Sequence, residues 1–334
     1  VTCSAVPRLR WGVAGYGDVV RRRALPALLG LGQRVGCVWG RDRARAAATA
    51  AEFGAERGSD DFDELLARVD AVYVATPVVA HVPLLLRAVA AGRHVLVEKP
   101  LGGALGYDRA QVLAAAAAAP VVTAAAYYRR SAPALRALRG ALRSGPYRVS
   151  AGFRAPFAPQ PADPMHWRTV ARVSGGGVLA DAGSHRIDLL CWLFGPPTAV
   201  RGTVGDRFPG GAERRASVEL AWAGGTTARL SCDWADGPAR DRLACVAADH
   251  ALRLPRLDGG LLAEHRPRGR RVRRFAPQPN VLAPVFGEFL AAVAGTGRPG
   301  CPLAEAVLVD EVIERVVATA RRAEDEDGGR PDGG

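Results

Sequence analysis

The sequence predicts an α/β chain in two domains, the first doubly wound around a parallel sheet and the second an α+β domain with an antiparallel sheet. Three observations predict it. From residue 8 to residue 125, short apolar runs alternate with longer helical patterns, the mark of βαβ units. A glycine turn, Gly15-Tyr16-Gly17, joins the first apolar run to the first helix. Beyond Tyr127 come alternating runs separated by turn residues, the pattern of half-buried antiparallel strands.

Each element has a local reason. Arg8 to Ala14 is the first strand, and the turn at Gly15 to Asp18 leads into a helix reaching Leu31. Val35 to Trp39 is the second strand, followed by an Ala-rich helix from Arg43 to Phe53. Asp70 to Ala75 is the third, ended by Thr76-Pro77. A helix from Val79 to Ala91 precedes a fourth strand, His94 to Val97. The low-complexity run Ala114 to Ala119 ends a further helix, alanine being the best helix former, and Pro120 separates it from a fifth strand, Val121 to Ala125. In the second domain a helix spans Ala132 to Ser144. Another, Val178 to Phe194, is opened by Gly175-Gly176-Gly177 and stopped by Gly195-Pro196-Pro197. Strands follow at Ala199 to Val204, Ala216 to Trp222, Thr226 to Trp234, Leu243 to Ala247 and Val272 to Phe275. Helices at Val281 to Ala294 and Leu303 to Arg322 close the chain. The domain limits are therefore 1–126 and 127–322, with an acidic, Gly-rich tail at 323–334 that is expected to fray.

At 334 residues the chain is long enough for two domains with buried cores. Its 49% hydrophobic and 23% charged residues exclude a disordered chain. No charge-free apolar run reaches about 18 residues, so no membrane span is expected. Val1-Thr2-Cys3-Ser4-Ala5 lacks a basic-then-apolar leader pattern, so no signal peptide is expected. Cys3, Cys37, Cys191, Cys232, Cys245 and Cys301 are scattered without C-x-x-C spacing. They read as reduced thiols of a cytosolic protein, and no metal site is expected. The formal charge of +12 is spread along the chain, so no nucleic-acid partner is expected. The densest basic stretch, His265 to Arg274, reads as a solvated hairpin, with contact to an anionic substrate, a partner subunit or nucleic acid as alternatives.

A single lysine, Lys99, stands among 45 basic residues. In so arginine-biased a chain it is a candidate for chemistry that arginine cannot do, because an ammonium can exchange a proton and a guanidinium stays charged. Its frame, Glu98-Lys99-Pro100, follows the apolar run Val95-Leu96-Val97 and so ends a buried strand, where open α/β sheets bind ligands. The turn Gly12-Val13-Ala14-Gly15-Tyr16-Gly17-Asp18-Val19 lets backbone amides approach a pyrophosphate. The third small residue of that motif is replaced by Val20. After the second strand, Gly40-Arg41-Asp42-Arg43 has a glycine where NAD enzymes carry an acid. That favours the 2′-phosphate of NADP over NAD. The alternative has Arg41 and Arg43 solvated and Asp42 on the ribose. Asp181 and His185 lie four apart on a predicted helix and share a face. With Lys99 they make a proton-transfer set for an alcohol/ketone pair, although His185 can also be a core histidine paired with Asp188.

Taken together, Gly12 to Gly17, Ala75-Thr76-Pro77 with His81, Glu98-Lys99-Pro100, and Gly175-Gly176-Gly177 leading to Asp181, Gly183, His185 and Asp188 resemble the glucose–fructose oxidoreductase/inositol dehydrogenase (Gfo/Idh/MocA) family. The resemblance runs in order to about Arg322. It implies a Rossmann domain, a second domain with an open, mainly antiparallel sheet, and nicotinamide-dependent redox chemistry on sugars, cyclitols or related alcohols. Lys99, Asp181 and His185 are then the catalytic group and touch substrate. Gly12, Gly15, Tyr16, Gly17, Asp18, Val19, Gly40, Arg41, Asp42, Thr76, Pro77, His81, Glu98 and Lys99 line the cofactor, with Trp167 and Arg168. Tyr128, Arg129 and Trp167 fall against substrate, although Tyr and Trp are equally common core residues. The expected enzyme interconverts a ring hydroxyl and ketone of a sugar, aminosugar or cyclitol, with a role in antibiotic or unusual-sugar biosynthesis. A catabolic inositol or dihydrodiol dehydrogenase is the alternative within that class. A non-catalytic, cofactor-sensing regulator is the alternative outside it, against which the intact Lys99, Asp181 and His185 set argues. A homo-oligomer formed through the second-domain sheet is expected.

Overall fold

Parallel strands covered on both faces read as continuous apolar runs, and the first sheet is made of such runs. The structure, a computed structural model, describes residues 7–328. Cys3 and the last six residues of the acidic tail lie outside them. The chain divides into two units, the first made of residues up to Gly102, Tyr107–Ser131 and Gln278–Val307. Its sheet comprises β1 (Arg10–Ala14), β2 (Arg34–Trp39), β3 (Gly58–Ser59), β4 (Ala71–Val74), β5 (His94–Val97) and β6 (Thr123–Ala125). All are parallel, in the order β3-β2-β1-β4-β5-β6. This is the doubly wound Rossmann order, whose direction reverses between β1 and β4. The helices of this unit are α1 (Leu25–Gly30), entered through a π-helical turn at Val20–Ala24, α2 (Arg43–Glu52), α3 (Phe62–Leu66), α4 (His81–Ala90) and α5 (Arg109–Ala118). Only β3 and α3 escape the sequence reading, being two and five residues long.

The second unit holds Gly103–Gly106, Ala132–Pro277 and the chain from Leu308. Its sheet comprises β7 (Arg148–Ala155), β8 (Ala199–Arg207), β9 (Glu213–Ala221), β10 (Thr227–Trp234), β11 (Arg240–Val246), β12 (Ala251–Leu254), β13 (Leu261–Arg266) and β14 (Gly269–Arg274). The order is β14-β13-β12-β11-β7-β10-β9-β8. Every pairing is antiparallel except that of β7 with β10. The sequence reading misses β7, the strand near the middle, along with β12 and β13. In β7, Ser150, Ala151 and Gly152 give little of the β-branched signal that marks a strand. The helices are α6 (Pro133–Ala141), α7 (Ala171–Ser174) and α8 (Ser184–Phe194), the last preceded by a π-helical turn at Leu179–Gly183.

The C-terminal helices change the expected domain limits. α9 (Ala283–Val293) belongs to the first unit, and its aromatic side chains are the reason. Phe286 lies edge-on to Trp11 of β1 at 5.2 Å and at the same distance from Tyr73 of β4, and Phe289 is 5.5 Å from Trp11. All four rings are essentially fully buried. The expected 127–322 domain is therefore interrupted, because this apolar face completes the core of the Rossmann sheet. α10 (Leu303–Gly328) also runs past the expected end at Arg322, so the first part of the acidic segment is helical.

Phe286→Ala is expected to destabilise the protein by roughly 3–5 kcal/mol, the range for truncating a buried phenylalanine. A urea unfolding midpoint equal to that of the wild type would show that α9 does not complete this core.

Candidate active site

β1 runs into Gly15, whose φ is +119° and where a Cβ would lie 2.4 Å from the Ala75 carbonyl oxygen. Only glycine permits that backbone and that approach to the loop after β4. Nothing lies within 4 Å of the Cβ position at Gly17, so the turn is open there. The first N–H groups of the following helix have no partner within it, which is the arrangement that receives phosphate. Val20, fully buried, begins the π-helical turn, and Leu25 N–H donates to its carbonyl. Gly12 is not part of the turn. It lies within β1, where a Cβ would meet the Leu65 side chain at 2.6 Å, so its part is close packing. Asp18 pairs with Arg22 at 2.7 Å on the surface, and Val19 is half-buried beside it.

At the end of β2, Gly40 makes room for an aromatic ring. A Cβ there would sit 2.0 Å from the Tyr16 ring, and the Arg45 guanidinium lies 4.6 Å from that ring's centroid. Asp42 accepts the Arg45 N–H at 3.0 Å, so its carboxylate caps α2. Arg41 and Arg45 are both exposed, and this corner of the site is cationic. Sequence reasoning missed Arg45, whose signal is its place three residues into a capped helix.

The loops after β4 and β5 are tied together from below. His81, buried at the start of α4, places one ring nitrogen 2.8 Å from the Pro100 carbonyl oxygen and the other 2.9 Å from that of Thr76. Burial holds its pKa below the usual imidazole value. Both ring nitrogens lie against backbone carbonyls, and the neutral ring donates to one of them, so His81 shapes the two loops rather than offering a polar atom to a cofactor. Thr76 Oγ1, by contrast, is buried without a partner among the described residues. The Tyr73 hydroxyl donates to Glu98 Oε1 at 2.5 Å, and Glu98 Oε2 accepts the Lys99 N–H at 3.2 Å. Burial pushes the Glu98 carboxyl up, partly offset by the Tyr73 hydrogen bond, and burial with the adjacent Glu98 pushes the Tyr73 phenol well up. Glu98 is thus engaged on both oxygens, and it fixes the peptide that carries Lys99. Two guanidinium groups approach the Tyr128 ring, Arg23 at 5.9 Å and Arg129 at 5.7 Å from its centroid.

In the second unit, Asp181 and His185 occur on one continuous helical segment, but not a regular α-helix. Asp181 lies in the π-helical turn, closed by Ser184 N–H donating to the Leu179 carbonyl, and His185 is the second residue of α8. The expected shared face assumes 3.6 residues per turn; an i→i+5 turn adds a residue and rotates the two side chains relative to that expectation. Asp181 accepts from Arg168 Nη1 at 2.9 Å, both side chains being partly exposed. The Arg168 guanidinium also lies 5.5 Å from the Trp167 ring. Arg168, expected on the cofactor, is therefore a partner of Asp181. His185 is buried and Asp188 fully so.

Residues 9–127 match the oxidoreductase family, NAD-binding Rossmann fold, of the GFO/IDH/MocA group, and residues 137–251 match the GFO/IDH/MocA C-terminal domain. The dTDP-3,4-didehydro-2,6-dideoxy-alpha-D-glucose 3-reductase of Streptomyces antibioticus is 33% identical over 341 residues, covering 94% of this chain and 98% of that protein. The chain belongs to the GFO/IDH/MocA family. Among solved structures, the UDP-N-acetylglucosamine 3-dehydrogenase of Acidithiobacillus ferrooxidans superposes with a TM-score of 0.80 at 26% identity, covering 94% of this chain and 99% of that one. A levoglucosan dehydrogenase in complex with NADH and levoglucosan shares the fold, with a TM-score of 0.83 at 18% identity over 95% of this chain and 98% of that one. This GFO/IDH/MocA chain is an oxidoreductase with a nicotinamide-dinucleotide-binding Rossmann fold. Its residues fit that group: the glycine turn is open at Gly17, and Thr76 Oγ1 is a buried polar atom with no partner among the described residues.

Glu98 makes a pH prediction with a definite sign. Its folded pKa is raised above the ordinary value of 4.5, so the folded state keeps this proton to higher pH than the unfolded chain. The stability it contributes is fully present below that ordinary value and is lost as pH rises through the folded value. In urea unfolding between about pH 4 and 8, wild type is expected to lose stability relative to Glu98→Gln as pH rises. A constant difference across that range would contradict the assignment.

Proposed function

We propose that this enzyme is an NADP-preferring reductase of a ring ketone in a nucleotide-linked sugar, serving the biosynthesis of an unusual sugar such as those attached to antibiotics. The observation that carries the reading is the full-length, 33% identity to the Streptomyces antibioticus sugar 3-reductase, joined to a single lysine at the end of β5. The UDP-N-acetylglucosamine 3-dehydrogenase supports a nucleotide-linked sugar as the substrate class. The buried thiols fit a reducing, cytoplasmic setting: burial pushes Cys37 to about 11 and both Cys232 and Cys245 to about 12, so all stay protonated.

In this reading the glycine turn and Thr76 hold the dinucleotide, and Arg41 and Arg45 take its 2′-phosphate. A reduced nicotinamide bound there supplies the hydride. The Lys99 ammonium hydrogen-bonds to the substrate oxygen and draws charge onto it. His185 gives that oxygen its proton. Asp181, held by Arg168, fixes the geometry of the sugar hydroxyls and the imidazole.

NADPH is expected to bind more tightly than NADH, and Arg41→Ala and Arg45→Ala should each reduce that preference, a charge-assisted contact being worth roughly 1.5–3 kcal/mol. Fluorescence titration showing equal affinities, or an advantage for NADH, would reject the cofactor assignment.

Lys99→Arg and His185→Ala should each lower kcat by about 10²–10⁴-fold with the relative's dTDP-linked 3-keto sugar as substrate, the usual range for acid–base groups. Cofactor affinity in His185→Ala should stay within error of wild type. Wild-type turnover in either variant would remove that residue from the mechanism.

A further inference from the structure

The segment that carries Asp181 and His185 begins without a side-chain cap of its own. The first N–H groups of a helix need acceptors from outside it, and a Ser, Thr, Asp or Asn at the boundary ordinarily provides one. Here the boundary is Gly175-Gly176-Gly177, which has no side chain to offer. The acceptor comes from Glu213, the first residue of β9 and buried. Its Oε2 accepts the Gly177 N–H at 2.7 Å and its Oε1 the Leu179 N–H at 3.0 Å.

The glycines are what make this reach possible. A Cβ on Gly177 would lie 2.0 Å from the Glu213 carbonyl oxygen, and Gly176 has a φ of +130°. The neighbouring carbonyls are held as well, Gly175 O by the Ala104 N–H at 2.7 Å and Gly176 O by the Ser174 hydroxyl at 2.5 Å.

The two residues whose N–H groups Glu213 holds are also the two whose carbonyls accept from the reactive segment. The Gly177 carbonyl accepts the Asp181 N–H at 3.0 Å. The Leu179 carbonyl accepts the N–H of Ser184, the residue before His185, and closes the π-helical turn. We propose that Glu213 is a positioning residue for Asp181 and His185, acting through the backbone of Gly177 and Leu179; this rests on the roles proposed for that pair. Its carboxylate also places negative charge at the positive end of the helix. Burial raises its pKa, and the backbone N–H groups pull the other way.

The test uses full-length Glu213→Gln, which keeps shape but offers one acceptor oxygen, and Glu213→Ala, which offers none. Amide hydrogen exchange is measured at Asp181 and Ser184 against Leu189 and Leu190 of α8, alongside steady-state kinetics with the dTDP-linked 3-keto sugar. Expected are faster exchange at Asp181 and Ser184 with Leu189 and Leu190 unchanged, and a kcat lowered by about ten- to a hundredfold with cofactor affinity retained, as a displacement near 1 Å costs. Glu213→Gln should fall between wild type and Glu213→Ala. Unchanged exchange at Asp181 and Ser184 overturns the proposal, as does exchange accelerated equally throughout α8. Wild-type turnover in His185→Ala would instead overturn the catalytic reading and leave the exchange result standing, so the two failures are distinguishable.

Discussion

Where parallel strands end, backbone carbonyls lose their ladder partners, and a buried carbonyl without a partner is costly. At the carboxyl end of the first sheet the His81 ring lies against two of them, on Thr76 and on Pro100, and its one N–H donates to one. The loops after β4 and β5 thereby acquire a common support. Tyr73 and Glu98 add a second support directly beneath Lys99. The lysine therefore projects from a peptide whose two flanks are fixed by buried hydrogen bonds, while Thr76 Oγ1 on the neighbouring loop keeps its capacity for a ligand.

The two units solve one problem in related ways. Each has a glycine-rich turn that leads into a helix, and in each the helix passes at once through a π-helical turn, Val20–Ala24 in the first unit and Leu179–Gly183 in the second. A π turn inserts one residue without breaking the helix and re-aims the side chains around it. In the first unit the turn begins at the buried Val20. In the second it contains Asp181, whose carboxylate meets Arg168. In the first glycine turn the Gly15 N–H donates to the Trp39 carbonyl at 2.8 Å and Gly17 stays open, whereas the second turn is closed by Glu213.

The Rossmann sheet was legible because buried parallel strands are unbroken apolar runs; His94 to Val97 falls where the sequence places it. β7 was not, because Ser150, Ala151 and Gly152 take their strand conformation from the neighbours on either side, β10 and β11. Nor was the return of α9 to the first core, since an apolar helix face does not name the sheet it will cover. At the site, the lysine, the glycine turn and the Asp181 to His185 segment stand out by residue type and spacing. Tyr73 reads as one more core aromatic, and Glu213 lies 36 residues beyond the glycine it caps. Contacts at that separation are decided by sheet register, which a local pattern does not contain. The same holds for Arg168, whose partner is fixed only when the turn at His166–Thr169 folds beside the helix segment.

The arginine bias also shapes the border of the second sheet. β14 is its terminal strand and carries Arg270, Arg271, Arg273 and Arg274 in six residues, most of them exposed. An open edge offers unpaired N–H and C=O groups to any extended chain, and the usual protection is charge. Here a second copy approaching edge to edge would bring two rows of permanently charged guanidinium groups together. Raising salt weakens that repulsion, so the composition that keeps this edge apart in dilute buffer protects it least at high ionic strength.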